Sequence, residues 1–198
     1  ALSSSVEQWR QAFSGPPRSL PTAMRQLQSF NADTAAAVLD ARGNVLVTWP
    51  LGGDGAQLAR SDTARRALGG RIGISDLSVD RGGKPVVTLA VPFELPGGGR
   101  RVAVEVLAAG VIESFASAYL ASAPAIRGGR AYLVDGNERV LASSVATGVG
   151  GRLPDRALAA ALRDGASGDY GDRHFAAKTL AGTRWRVVLT AARSELLA

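Results

Sequence analysis

Apolar and polar positions alternate in short runs along most of the chain, and one such pattern is written twice. Val38-Leu39-Asp40-Ala41-Arg42-Gly43-Asn44-Val45-Leu46-Val47-Thr48 matches Leu133-Val134-Asp135-Gly136-Asn137-Glu138-Arg139-Val140-Leu141-Ala142-Ser143. Each copy is an apolar run ending in Asp, a polar turn, and a second apolar run ending in a hydroxyl. Gly and Asn tolerate the positive φ of a tight turn, and Asp can cap it with its side chain, so both copies predict a β-hairpin. The repetition predicts two related modules in tandem. Function is then to be sought in their pairing, not in one catalytic pocket.

The remaining periodicity fills in the elements around these hairpins. Val6, Trp9 and Phe13 form one apolar stripe that predicts a helix over residues 3–13. Gly15-Pro16-Pro17 stops it, because proline lacks an amide donor and its ring clashes with the preceding turn. A second helix is expected from about Pro21, with Met24, Leu27 and Phe30 on one face. After strands at 36–40 and 45–49, the glycine-rich loop 52–55 leads to a helix over 61–68 that Ser61 or Asp62 can cap and Gly69-Gly70 can end. A short strand is expected at 72–77, then a hairpin of 84–93 and 101–107 across Pro96-Gly97-Gly98-Gly99, rich in β-branched residues. A linking helix over 111–120 precedes the second module. There the hairpin 131–143 is followed by a helix starting at Pro154 and by a hairpin of 175–180 and 185–190. Residues 191–198 read as a terminal helix.

Composition narrows the function classes. The 198 residues carry 23 Lys and Arg against 17 Asp and Glu, a formal charge of +6, and nearly all the basic residues are arginine. They are dispersed, whereas a nucleic-acid binder concentrates basic residues on one stripe with interleaved aromatics, so no nucleic-acid partner is expected. Cysteine is absent and His174 is the single histidine, which excludes thiol catalysis, disulfides and His-rich metal sites. No cofactor and no metal ligand set is therefore expected. No run of about 18 apolar residues is present to span a membrane. Both ends read as helix, so the chain is expected to be a soluble segment of a longer protein.

Hairpin, helix, then β-meander is the order of a PAS-like module. Ala37-Val38-Leu39-Asp40 with Gly43-Asn44-Val45-Leu46, the run from Gly83 to Phe93, Ile74-Ser75-Asp76, and the second copy from Ala131 to Ser143 together resemble the double Cache sensor domain of bacterial receptors. The fold class this implies is α+β: two tandem PAS-like modules, each an antiparallel sheet of about five strands with flanking helices, after an N-terminal helical segment. The expected division is 1–33 for that segment, 34–123 for a membrane-distal module and 124–198 for a membrane-proximal one. The resemblance implies an extracytoplasmic ligand-sensing domain between two transmembrane helices. Its output would be a histidine kinase, diguanylate cyclase, phosphatase or chemoreceptor module, and a homodimer is expected in the full-length receptor. The ligand would be a small molecule in the distal module. The family's amino-acid-binding pattern places Tyr, Arg and Trp on the covering segment, but residues 59–68 here carry arginines and neither aromatic. A small carboxylate suits them better, because Arg offers a bidentate fork.

The expected ligand contacts are Trp49, Arg60, Arg65, Asp76, Ser78 and Thr88. Arg60, Arg65 and Arg66 flank the covering helix, and their spacing lets at most two share a face. Asp76 and Ser78, two apart on one short strand, would face the same way, as would Thr88 and Ala90 at the pocket floor. Trp49 would form a wall. Asp40 and Asp135 are read as turn caps, not as a catalytic pair. Two other readings stand beside the sensor: a ligand-free structural or dimerisation module, and a secreted hydrolase built on His174, Asp172 and a serine. No Gly-x-Ser-x-Gly elbow supports the hydrolase, and the glycine runs lack the Gly-Lys-Ser/Thr of a phosphate loop.

Overall fold

The computed structural model describes residues 2–28, 35–52, 55–96, 98–121, 128–145 and 148–196. Phe30, Gly53, Asp54, Gly97 and the expected module boundaries at 33/34 and 123/124 lie outside the described residues, as do the side chains of Val6, Phe115 and Tyr119. Two compact units emerge, one of Ala1–Ser75 with Val87–Leu107, the other of Asp76–Val86 with Ala108–Ala198.

In the first unit, helix α1 (Leu2–Phe13), a 3-10 turn (Pro17–Ser19) and α2 (Leu20–Gln28) precede the hairpin of β1 (Ala36–Asp40) and β2 (Val45–Trp49). Short helices α3 (Ala56–Ala59) and α4 (Asp62–Leu68) lead to β3 (Gly73–Ile74); β4 (Ser78–Val79) and the first two residues of β5 (Pro85–Glu94) are counted with the second unit, and the chain returns to the first through the rest of β5 and β6 (Arg100–Ala108). The sheet order is β2-β1-β6-β5-β3, with β4 pairing the start of β5. Strand β1 lies between β2 and β6, and its Ala36–Leu39 are all buried because both faces of the sheet are covered. Ala36, Val38, Val47, Phe93 and Ala103 pack with Phe13, Leu20 and Met24 of the N-terminal helices. Ala37, Leu39, Ala90, Val102 and Val104 pack with Ala64 and Ala67 of α4. Alternate residues of a strand point to opposite faces, so the continuous apolar run of β1 serves two layers.

The second unit holds α5 (Ala109–Ala121), β7 (Arg130–Val134), β8 (Val140–Ser143), α6 (Arg156–Asp164), β9 (Ser167–Tyr170), β10 (Arg173–Thr179), β11 (Arg186–Ala192) and α7 (Arg193–Leu196). Its strand order is β8-β7-β11-β10-β9. Replacing each strand by its counterpart converts one order into the other, so the tandem PAS-like architecture expected from the repeated pattern is the architecture found. Leu158 and Leu162 of α6 close a core with Tyr132, Val134, Val188, Tyr170 and Phe175, the last two in edge-to-face contact with centroids 6.1 Å apart.

The repeated hairpin turn folds identically in both units. The Asp40 amide donates to Asn44 O and the Gly43 amide to Asp40 O. The Asp135 amide donates to Arg139 O and the Glu138 amide to Asp135 O. A β-bulge follows in each ladder. This is the three-residue hairpin whose last turn residue takes the left-handed conformation. Glycine occupies that position at Gly43, with φ of 85°, and in the same turn built on Asp80, where Gly83 has φ of 76°. The second module places Glu138 there, at φ of 63°, which costs about 1 kcal/mol for a residue with a Cβ.

Several expected elements are corrected. Between the loop expected at 52–55 and the helix expected over 61–68 lies a further short helix, α3. Pro154 is not in the first turn of α6, since Asp155 is the N-cap, its Oδ1 accepting from the amides of Ala157 at 3.0 Å and Leu158 at 3.1 Å. Strand β9 was invisible because Ser-Gly-Asp-Tyr has no β-rich pattern; its pairing with β10 creates it. Ala191 and Ala192 are strand, not helix, because they pair with His174 and Arg173.

The N-terminal helix is fastened to the sheet by a side chain that the alternation of β6 turns inward. Arg101, 7% exposed, donates to the carbonyls of Phe13 at 2.5 Å and Gly15 at 2.6 Å. A cation at a helix C-terminus satisfies carbonyls that have no partner within the helix. Burial pushes the guanidinium pKa down, yet it remains charged. Arg101→Met keeps the volume and removes the donor, leaving the two carbonyls without it. It is expected to lower unfolding free energy by about 2–4 kcal/mol in urea titration; a loss within measurement error would show the anchor to be dispensable.

Candidate functional site

Segment α3–α4 crosses one face of the first sheet, and its local sequence explains how closely it lies there. Gly55 opens it, and a Cβ at that position would stand 2.6 Å from Thr48 Cγ2. The Ser61 hydroxyl caps α4, accepting from the Ala64 amide at 3.1 Å. Gly73 on β3 lets the backbone of Thr63 come so near that a Cβ would meet Thr63 O at 2.3 Å. Ala64 and Ala67 fill the space down to Ala37, Ala90 and Val102, so small apolar side chains occupy the interface between helix and sheet.

The arginines of this segment point away from it. Arg60 and Arg65 are both exposed; Arg65 pairs with Asp62 one turn earlier, and its Nη1 donates to Arg60 O at 3.4 Å. Thr88, two residues before Ala90 on β5, is half-buried on the α3–α4 side, and its amide donates to Ser75 Oγ at 2.9 Å. Trp49 lies on the other face. It pairs with Ala36 across the β1–β2 ladder and packs among the residues beneath α1 and α2. Trp49 and Thr88 therefore do not share a wall.

Asp76 and Ser78 belong to the second compact unit. The expectation that they alternate along one strand is corrected: β3 ends at Ile74 and β4 begins only at Ser78. The break has an identifiable cause. The Leu77 amide donates to Asp135 Oδ2 at 3.0 Å, while Asp135 Oδ1 accepts from Asn137 and Arg139 at 2.8 Å each. Asp76 in turn accepts the Gly136 amide at 3.1 Å and pairs with Arg184. Two carboxylates thus hold residues 76–77 against the β7–β8 turn, and Asp135 is fully buried in doing so. Asp40 uses its first oxygen alike, on Arg42 and Asn44, but gives the second to the Asn44 side-chain amide at 2.8 Å. The sequence identified both caps. It did not identify the distant partner of one of them.

His174 lies opposite Asp169 across the β9–β10 ladder, with Nδ1 2.6 Å from Asp169 Oδ1. The acid expected beside it, Asp172, instead uses its carbonyl to accept the Arg193 amide. The hydrogen bond with His174, and secondarily the charges of Arg193 and His174, hold the Asp169 carboxyl below its ordinary range against the opposing effect of desolvation. Among the described residues, no three His, Asp or Glu side chains gather as a metal site needs, and no helix is long and apolar enough to cross a membrane.

Likeness to solved structures covers almost the whole chain. The sensory domain of the Campylobacter jejuni chemoreceptor Tlp3, solved with isoleucine bound, matches 100% of this chain and 87% of its own, with a TM-score of 0.65 and 11% identity. The ligand-binding domain of the Pseudomonas aeruginosa amino-acid chemoreceptor PctC, solved with GABA, matches 96% and 90%, with a TM-score of 0.60 and 20% identity. An extracellular ligand-binding receptor from Desulfohalobium retbaense matches 96% of this chain at 17% identity and a TM-score of 0.57, and the chain spans only 36% of that receptor. No protein-family model and no curated protein matches the sequence. The fold is that of extracellular sensory domains, as the resemblance to double Cache modules implied.

The two caps differ in burial, and this difference is measurable. Asp135→Ala strands three amides, one of them far in sequence, and is expected to cost about 3 kcal/mol or more; Asp40→Ala, whose partners reach water, about 1 kcal/mol. Desolvation favours protonation of Asp40, but bonds from Asn44 and Arg42 outweigh it and hold its pKa below the ordinary value. Its contribution is then complete above the unfolded pKa of about 3.9 and lost as pH falls through the folded one. Urea unfolding of Asp40→Asn should show a shallower acid loss than the parent chain; equal slopes would contradict this account.

Proposed function

We propose that this chain is the extracytoplasmic sensing segment of a bacterial transmembrane receptor and that it responds to a small molecule. The observation that carries this reading is the repeated strand order with a helical segment crossing the first sheet, matched end to end by sensory domains of chemoreceptors and histidine kinases. On this reading residues 34–123 are the membrane-distal module and 124–198 the membrane-proximal one. Transmembrane helices flank the segment, and the full-length receptor is a homodimer. The segment itself is non-catalytic, and the signal leaves through the terminal helices to a cytoplasmic output module. Several of the similar domains were solved with amino acids. Here the crossing segment offers arginines and no Tyr or Trp, which supports a small carboxylate held by Arg60 and Arg65 on the exposed side of that segment.

The apolar filling between α4 and the sheet favours a second reading, a ligand-free dimerisation module. Thermal shift against a panel of small carboxylates and amino acids separates the two. A ligand at a hundredfold excess over its Kd adds about 2.7 kcal/mol, a rise of several degrees in Tm. The sensor reading expects such a rise, reduced by Arg65→Ala and Arg60→Ala. No rise with any compound, alongside a dimer by light scattering, favours the module; a rise untouched by both variants overturns the residue assignment.

A further inference from the structure

The second unit contains an arginine-lined cleft that the sensing site does not use. Its volume is about 500 Å³, and Leu153, Pro154 and Ala159 form its apolar part. Arg156, Ala159 and Arg163 line it at i, i+3 and i+7, one stripe of α6 beside that of Leu158 and Leu162, which face the core. Arg152 is brought in by the bridge between Arg139 and Arg152 and by the Leu153 amide donating to Glu138 O at 3.2 Å. The wall opposite the helix is Glu138, whose carboxylate holds Arg163 bidentately at 2.9 and 3.1 Å. Arg152 and Arg156 have no ion-pair partner among the described residues, and the neighbouring Asp155 carboxylate is turned to its own helix amides.

Glu138 is out of place on backbone grounds. The turns closed by Asp40 and Asp80 put Gly43 and Gly83 at the left-handed position, whereas this one accepts a strained backbone to place a carboxylate there. The pair with Arg163 is bidentate and the Glu138 side chain only 16% exposed, so it offsets part of that backbone cost. Glu138 also controls the charge of the cleft, reducing three arginines to an excess of two.

We propose that this cleft is an oxyanion site, taking one carboxylate or phosphate group between Arg152 and Arg156, with Glu138 as a built-in competitor for Arg163. Two guanidinium forks beside an apolar floor suit a compact anion bearing a short carbon frame. The site is independent of the ligand assigned to the first unit.

The test is calorimetric titration of the 198-residue chain with inorganic phosphate and with citrate at low ionic strength. A parallel arm measures cosedimentation with phosphatidylcholine vesicles with and without phosphatidylglycerol. Saturable binding of a free anion assigns a soluble ligand, and binding to anionic vesicles alone assigns a lipid headgroup; both support the site. Arg152→Ala and Arg156→Ala should each weaken the response about tenfold, the scale of one lost charge-assisted fork. Arg18→Ala, which removes the same charge from an exposed 3-10 turn, should leave it unchanged. Glu138→Gly, matching the backbone conformation of the other turns, should keep Tm and tighten binding several-fold. Absence of both responses overturns the proposal, as does equal weakening by Arg18→Ala and the cleft variants, or weaker binding in Glu138→Gly.

Discussion

A carboxylate that accepts two backbone amides across a five-residue turn is the contact on which the rest of this fold is built. Asp40, Asp80 and Asp135 each close such a turn, and each fixes the register of the two strands that leave it. Register matters because a one-residue slip would exchange the faces of a strand. In the first sheet both faces are buried, so a slip would move Val38 and Leu39 into the wrong layers. The caps therefore set which side chains meet which helices.

The same interaction does more in the second unit. Once Asp135 has satisfied its own turn with one oxygen, the other is left in a buried place, where an unpaired charge is costly. The Leu77 amide answers it, and Asp76 adds a contact to Gly136 and an ion pair with Arg184. Residues that the chain supplies between two strands of the first sheet are in this way drawn into the second compact unit. Asp76 is thereby occupied, which bears directly on where a ligand can be held.

Much of the architecture was legible because its determinants are local. A cap at Asp40 reaches residues two and four positions on, and a reader of the sequence sees donor, acceptor and turn within one short run. The stripes of α1 and α6 are legible for the same reason. Strand β9 was not, because Ser-Gly-Asp-Tyr becomes a strand only by pairing with β10. The expected site residues were legible as chemistry but not as geometry. Trp49 faces the N-terminal helices, Thr88 faces α4, and Arg60 and Arg65 point to solvent. The roles of Arg101 and Glu138 were not legible, since an arginine in a strand and a glutamate in a turn look like ordinary surface residues until their partners are known.

The sequence by itself determined the duplication, the hairpins, the helices and the α+β class, because hydrophobic period and turn chemistry act over a few residues. Tertiary structure alone decided which carboxylate is fully buried, which arginine closes the end of α1, and which three arginines surround Glu138. Those facts depend on groups far apart in the chain, such as Leu77 and Asp135, or Phe13 and Arg101, meeting in a space that excludes water. There, an unpaired polar group costs more than any local preference can return.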